Sequence, residues 1–267
     1  MIVQDLFIYP VKSLSGIRVE SANALGRGFQ FDRRWMLVDD TGECITQRIK
    51  HQLALINTQI IGDNLIISHR YSTNKPLFIP IIQTALKKIN VSIWDDQVES
   101  LHVSEDADNW FSEFLQQTCK LVYMPEDTLR PVDERYSIEK EQVSFADAFP
   151  YLLIGQASLD DLNQRLKTPV PMNRFRPSIV ISTTEPYIED TWSEIRIGNI
   201  RFKVAKPCAR CVLTTVDQET AKKGKEPLLT LSKYRTVNNK VLFGQNLLAI
   251  NTGIIKLSDP VEIISYK

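Results

Sequence analysis

The sequence predicts a mainly β protein with a few helices, an α+β fold built on a barrel or sandwich. Three observations carry that expectation. Short segments rich in β-branched and aromatic residues recur through the first hundred residues, separated by turn residues. Only two stretches of the chain show clear helical periodicity. The last third returns to β character. Regular alternation of strands with long helices, which a parallel α/β sheet requires, is missing.

The elements follow in order. Phe7-Ile8-Tyr9, Trp35-Met-Leu-Val38 and Leu65-Ile-Ile67 read as strands. Gly26-Arg-Gly28, Asp39-Asp-Thr-Gly42 and Gly62-Asp-Asn64 read as the turns between strands. Trp110, Phe111, Phe114 and Leu115 recur at helical spacing behind the acidic lead-in Glu105-Asp-Ala-Asp108, and acidic residues suit a helix N-terminus. Met124 to Tyr136, with Pro125 and Pro131, reads as a linker or long loop. Ser158-Leu-Asp-Asp161 has the spacing of a capping box, with Asp in the usual Glu position. Leu159, Leu162 and Leu166 then form one apolar stripe, ended by Thr168-Pro169 and Pro171. Ile195 to Phe202 reads as a hairpin around Gly198-Asn199, and Val261-Glu-Ile-Ile264 as a last strand. There is no internal repeat.

The bulk composition limits function more than it specifies it. The 267 residues are 43% hydrophobic and 24% charged, an ordinary globular profile. Thirty-two basic residues balance 32 acidic ones, so no global field favours DNA, RNA or an anionic membrane. The apolar stretches Leu77 to Ile82 and Tyr151 to Ile154 are too short to span a bilayer. The N-terminus has neither a basic lead nor a long apolar core, and four cysteines make no disulfide framework. A cytoplasmic protein is expected.

Chemistry concentrates in Lys206-Pro-Cys-Ala-Arg-Cys-Val-Leu-Thr-Thr-Val-Asp217. Its two cysteines sit beside Lys206 and Arg210, and positive charge favours the reactive, metal-binding thiolate. Several readings compete. A structural zinc site needs further ligands, yet Cys44 and Cys119 are isolated and His51, His69 and His102 lack ligand spacing. A thioredoxin-like pair should open a helix, whereas the β-branched run Val212 to Val216 reads as a strand. Cysteine is also a common small buried hydrophobe, which suits Cys44 and Cys119 and extends to Cys208. A single thiolate would also suit a thiophilic molybdenum centre, with a pterin dithiolene supplying two more sulfurs, and the four readings stay open at this point.

Cations gather in three further places. Tyr9-Pro-Val-Lys-Ser-Leu-Ser-Gly16 offers an ammonium, a hydroxyl and turn amides at the end of a strand, the materials of an anion site or of a plain exposed turn. Asp32-Arg-Arg-Trp35 and Asn173-Arg-Phe-Arg-Pro177 add four guanidiniums near aromatic rings, and the Arg fork matches phosphate geometry.

These segments, in this order, resemble the MOSC family, named for the molybdenum cofactor sulfurase C-terminal domain. Within it the chain is similar to the N-oxygen-reducing branch, which includes the mitochondrial amidoxime-reducing component and the YcbX-like bacterial proteins. The likeness runs through Tyr9-Pro-Val-Lys-Ser13, Phe31-Asp-Arg-Arg-Trp35, Thr46-Gln-Arg48, Gln156-Ala-Ser-Leu-Asp-Asp-Leu-Asn163, Arg174-Phe-Arg-Pro177 and Asp190-Thr-Trp192. It continues through Cys208 to Asp217, Glu226-Pro-Leu228, Phe243-Gly244 and Gly253-Ile-Ile255.

The resemblance implies an N-terminal MOSC β-barrel region over residues 1–120 and a MOSC β-barrel domain over residues 121–267. It implies Cys211 as molybdenum ligand and catalytic centre, with Arg210 lining the same site. It implies Lys12, Ser13, Arg33 and Arg176 as cofactor-binding residues, Arg176 at the pterin phosphate. The expected activity is molybdenum-cofactor-dependent reduction of small N-hydroxylated compounds to amines or amidines. A sulfur carrier with a Cys211 persulfide, acting in cofactor maturation, and a non-catalytic cofactor-binding module are the alternatives. Asp190 and Asp217 stand as outer-site acids or turn caps.

The chain also departs from the family pattern. Ala148 and Phe149 stand where relatives place small hydroxyl residues, and Ser258-Asp259 replaces Gly-Asp at a turn. No cysteine spacing suits the ferredoxin cluster that some bacterial relatives carry, so a separate flavin or iron–sulfur reductase is the expected electron donor.

Overall fold

The computed structural model describes residues 1–72, 75–82 and 86–267. The mainly β expectation is met. A nine-stranded sheet runs in the order Val261–Tyr266, Trp192–Ile197, Ile200–Ala209, Lys240–Ala249, Tyr151–Gly155, Ile179–Ile181, Val3–Ile8 and Ile17–Val19, with Thr236–Val237 added beside Lys240–Ala249. The first strand thus lies inside the sheet of the C-terminal half, where it pairs antiparallel with Ile179–Ile181. One parallel pair, Tyr151–Gly155 with Ile179–Ile181, is bridged by the helix Gln156–Arg165. A four-stranded sheet joins Trp35–Val38, Lys120–Tyr123, Asp96–His102 and Lys88–Ile93. Two three-stranded sheets complete the framework: Ile56–Ile61 with Asn64–His69 and Leu77–Pro80, and Gly253–Lys256 with Ser21–Leu25 and Gly28–Phe29.

Period-two burial places these strands. In Val3–Ile8, Val3, Leu6 and Ile8 turn into a core shared with Tyr151, Trp192, Phe202 and Leu247. A second core holds Trp35, Leu37, Leu53, Leu121 and Phe111. Phe111 comes from the helix Glu105–Leu115, where Ser104 accepts a bond from the Ala107 amide at 3.2 Å and Glu105, Asp106 and Asp108 occupy the first turn. Truncating fully buried Phe111 to Ala would cost about 3–5 kcal/mol.

Two local expectations need correction. The second helix starts at Gln156, with Gly155 as its N-cap, so Ser158 is not a cap. Its hydroxyl is buried, donating to Glu189 at 2.7 Å and accepting from the Tyr187 amide at 2.8 Å. The stripe of Leu159, Leu162 and Leu166 is buried as expected. Val212 to Val216 is not a strand. Residues Val212–Thr215 form a short 3-10 turn, because the Thr214 and Thr215 hydroxyls donate back to the carbonyls of Cys211 and Val212. That local bonding overrides β propensity. Met124 to Tyr136 is a long loop, as expected, and irregular chain continues to residue 150. Buried Arg130 holds it, donating to the carbonyls of Ser144, Ala146 and Asp147 at 2.6–3.1 Å. At the replaced turn, Ser258 adopts φ 67°, a left-handed conformation that glycine takes without strain.

Candidate functional site

A cleft opens over the pairing of Tyr151–Gly155 with Lys240–Ala249, with the cross-strand partners Leu152 and Asn246 in its lining. Lys12, Ser13, Arg33, Arg176, Arg210 and Cys211 all line it. Chain segments from residue 12 to residue 211 therefore converge on one point. The turn after the first strand supplies Lys12 and Ser13. The turn before Trp35–Val38 supplies Arg33. The chain just before Ile179–Ile181 supplies Arg176, and the end of Ile200–Ala209 leads into Arg210 and Cys211.

Backbone strain marks the same place. Ser13, Arg33 and Arg176 have φ of 70°, 49° and 54°, each in the left-handed region. A residue with a Cβ pays roughly 1–2 kcal/mol there. Backbone bonds keep the segment in place: the Lys12 amide donates to Trp35 at 2.8 Å, the Arg33 amide to Tyr9 at 2.8 Å, and the Tyr9 amide to the Asp32 carboxylate at 2.7 Å.

The cations are held by carboxylate and backbone partners. Lys12, only 5% exposed, donates to the Phe145 carbonyl at 2.8 Å and to Asp147 at 2.7 Å. Arg33 pairs with Asp32 and donates to the Arg176 carbonyl at 3.3 Å. Arg176 donates to the Leu14 carbonyl at 2.7 Å. The Arg33 and Arg176 guanidiniums both lie 4.3 Å from the centre of the Tyr9 ring. Burial pushes the Tyr9 hydroxyl up to about 12 despite the pull of Arg176 and Arg33, so the ring is a neutral platform for both.

The two cysteines differ in their contacts. Arg48 donates through Nε to Cys211 Sγ at 3.2 Å and through Nη2 to Asp147 at 2.8 Å. Arg210 donates to Cys208 Sγ at 3.1 Å and to the Phe175 carbonyl at 2.6 Å, and its own Nε is buried without a partner. Both cysteines line the cleft and both are half-buried. Cys208 is therefore not the buried hydrophobe the sequence allowed, whereas Cys119 is buried.

The described lining carries five cations, Lys12, Arg33, Arg48, Arg176 and Arg210, against one carboxylate, Asp147. Burial acts to raise the Asp147 pKa, but Lys12 and Arg48 outweigh it and hold the carboxyl well below the usual carboxylate range. The balance is a cleft with surplus positive charge and an unused buried donor, suited to an anion.

Sequence reasoning overlooked four contributors. Arg48 and Tyr9 lay inside quoted motifs but drew no role. Asp147 and Trp94, whose ring lies 4.1 Å from the Arg48 guanidinium carbon, carried no local signal, because their partners are far off in sequence. Other residues went elsewhere. Arg34 turns to the Met124 carbonyl and Glu126, and Arg174 braces the Thr214 and Glu226 carbonyls. Asp217 caps a turn at Glu219 and Thr220, and Asp190 is held by Arg235 and Gln245. Neither acid lines the cleft.

Two family models match the chain. The MOSC N-terminal beta barrel domain covers residues 1–118, and the MOSC domain covers residues 140–262. The chain belongs to the MOSC-domain family. Its MOSC segment contains Cys208, Arg210, Cys211 and Arg176, and its MOSC N-terminal segment contains Lys12, Ser13, Arg33 and Arg48. The cleft therefore draws on both family domains. Among relatives, this MOSC chain is 36% identical to mitochondrial amidoxime-reducing component 1 of Mus musculus and 35% identical to that of Homo sapiens. Each match spans 98% of this chain and 82% of the relative. It is 31% identical to molybdenum cofactor sulfurase of Danio rerio, over 90% of this chain but 31% of that much longer protein.

Proposed function

We propose that this MOSC-domain protein is a molybdenum-cofactor-dependent oxidoreductase that reduces N-hydroxylated compounds to amines or amidines. The observation that carries the reading is the convergence on one cleft of Cys211, presented as a sulfur acceptor, with five cationic side chains. The names of the relatives that match nearly the whole chain agree with it.

The cleft suits the cofactor in charge and donor type. Lys12, Ser13, Arg33 and Arg176 would hold the anionic phosphate end, where charge-assisted bonds are strongest. The unpartnered Arg210 Nε offers one more donor. Cys211 would be the protein's ligand to the metal. Among the described residues no three His, Cys, Asp or Glu side chains gather at one point, so a metal at Cys211 would take its other ligands from a non-protein group such as a dithiolene. When bound, the cofactor supplies two-electron oxygen abstraction, and the protein supplies orientation and electrostatics.

The overall change converts an N–OH group to N–H, consuming two electrons and two protons and releasing water. The electrons come from a separate protein, a flavin or iron–sulfur reductase, docking over less than about 1,200 Å² as transient electron-transfer pairs do. The substrate is small, and neither nucleic acid nor membrane is a partner in this reading. No helix among the described residues is long and apolar enough to cross a membrane. We place the protein in the cytoplasm, a placement that fractionation of the source cells would check; the amidoxime-reducing relatives are named as mitochondrial. The division at residues 120 and 121 is part of the same proposal.

The test is protein purified from a host that makes the cofactor, assayed with reduced viologen and an amidoxime. One molybdenum per chain with formation of the amidine supports the reading. A persulfide on Cys211 without molybdenum would instead mark a sulfur carrier, and bound cofactor without turnover a storage module.

A further inference from the structure

We propose that Arg48 is a positioning residue for the Cys211 sulfur, and that its N–H···S bond sets how strongly that sulfur donates to the metal. This rests on Cys211 being the ligand. The bond spans 163 residues and joins the two family domains, from Arg48 in the N-terminal segment to Cys211 in the C-terminal one.

The guanidinium is fixed on three sides. Its Nε reaches Cys211 at 3.2 Å, its Nη2 reaches Asp147 at 2.8 Å, and its Cζ lies over the Trp94 ring, 4.1 Å from the centre. Asp147 is in turn tied to buried Lys12 at 2.7 Å. Trp94 stands at the tip of the hairpin between Lys88–Ile93 and Asp96–His102, with φ 56°. A tryptophan in the left-handed region is strained, yet 43% of it stays exposed, so burial of its own surface does not account for the conformation. Its orientation gives Arg48 a flat support. Below the guanidinium, the Arg48 carbonyl is 3.2 Å from His51 Nε2 at the start of the His51–Leu55 turn.

Only arginine satisfies this geometry. Its rigid fork presents Nε and Nη2 to two acceptors at once while its face stacks on a ring. A lysine would reach one acceptor. Hydrogen bonds to a metal-bound sulfur withdraw electron density from it and raise the reduction potential, and such outer partners also orient the ligand. The bond does no chemistry itself. It adjusts the sulfur that Cys211 offers.

The experiment compares molybdenum-loaded wild type, Arg48→Met, Arg48→Lys and Trp94→Leu by metal analysis, EPR of the molybdenum(V) state and redox titration. Arg48→Met is expected to keep molybdenum within about twofold of wild type, to shift the EPR g-values and to lower the reduction potential. Arg48→Lys should fall between. Wild-type g-values and potential in Arg48→Met would overturn the proposal. If Arg48→Met fails to fold or load, Trp94→Leu decides, since it removes the ring beside Arg48 while leaving both of its hydrogen-bond acceptors in place, and the more distant Lys12, 5.5 Å from the ring, keeps its bonds to Phe145 and Asp147: shifts in the same direction sustain the proposal and an unchanged spectrum overturns it. Cys211→Ser is run in parallel. Loss of molybdenum there keeps the ligand assignment, and a retained wild-type spectrum removes the ligand assignment and the Arg48 role with it.

Discussion

The Lys12 ammonium and the Asp147 carboxylate, 135 positions apart in sequence, meet at 2.7 Å on the wall of the cleft. Lys12 is buried, whereas the Asp147 side chain is 56% exposed, so the pair is worth more than a surface ion pair but less than a sealed one. Asp147→Asn is expected to destabilise the protein by about 1–2 kcal/mol at neutral pH. The pH dependence has a definite sign. The folded Asp147 pKa lies below its unfolded value, so its stabilisation is complete above pH ~4 and is lost as pH falls toward the folded value. Urea unfolding of wild type and Asp147→Asn should give a constant gap from pH 7 to about 4 that narrows below. A gap that closes between pH 7 and 5 would contradict this.

Lys12, Arg33 and Arg176 are expected to bind the phosphate end of the cofactor. Each single Ala variant should lose about 1.5–3 kcal/mol of cofactor binding, the loss of one charge-assisted contact. Pterin content, read by fluorescence of the oxidised cofactor, should fall in all three while circular dichroism stays that of the wild type. Full occupancy in all three would remove them from the cofactor site.

The six residues proposed for the site were legible in the sequence as motifs, and all six line one cleft. What the sequence hid is how the charges are held. Asp147 has no partner within reach along the chain, and its meeting with Lys12 and Arg48 exists only after folding. Tyr9 looked like a strand residue and proves to be the ring between two guanidiniums. Strand and helix periodicity located Val3–Ile8, Trp35–Val38 and Glu105–Leu115 within a few residues. It failed at Val212–Thr215, where two threonine hydroxyls bonding to their own backbone outweigh the preference of β-branched residues for strands.

In the proposed reading, the electrons for turnover come from a separate protein. No Gly-x-Gly-x-x-Gly dinucleotide fingerprint occurs in the sequence, and Cys211, if it is the metal ligand, would not be free to cycle with Cys208 as a disulfide. Purified protein with NADH or NADPH alone is expected to be inactive, and activity should appear with reduced viologen or an added flavin or iron–sulfur reductase. Sustained turnover on NAD(P)H alone would reveal a redox site outside this cleft.

The two cysteines are three positions apart and contact different arginines, Cys211 with Arg48 and Cys208 with Arg210. Molybdenum per chain in Cys211→Ser and Cys208→Ser, both purified from a cofactor-competent host, therefore bears on the ligand assignment with nothing in between. Cys211→Ser should contain almost none and show no N-reductase activity, while Cys208→Ser should keep most of both. Wild-type molybdenum in Cys211→Ser, with loss in Cys208→Ser, would show that the first cysteine and not the second holds the metal.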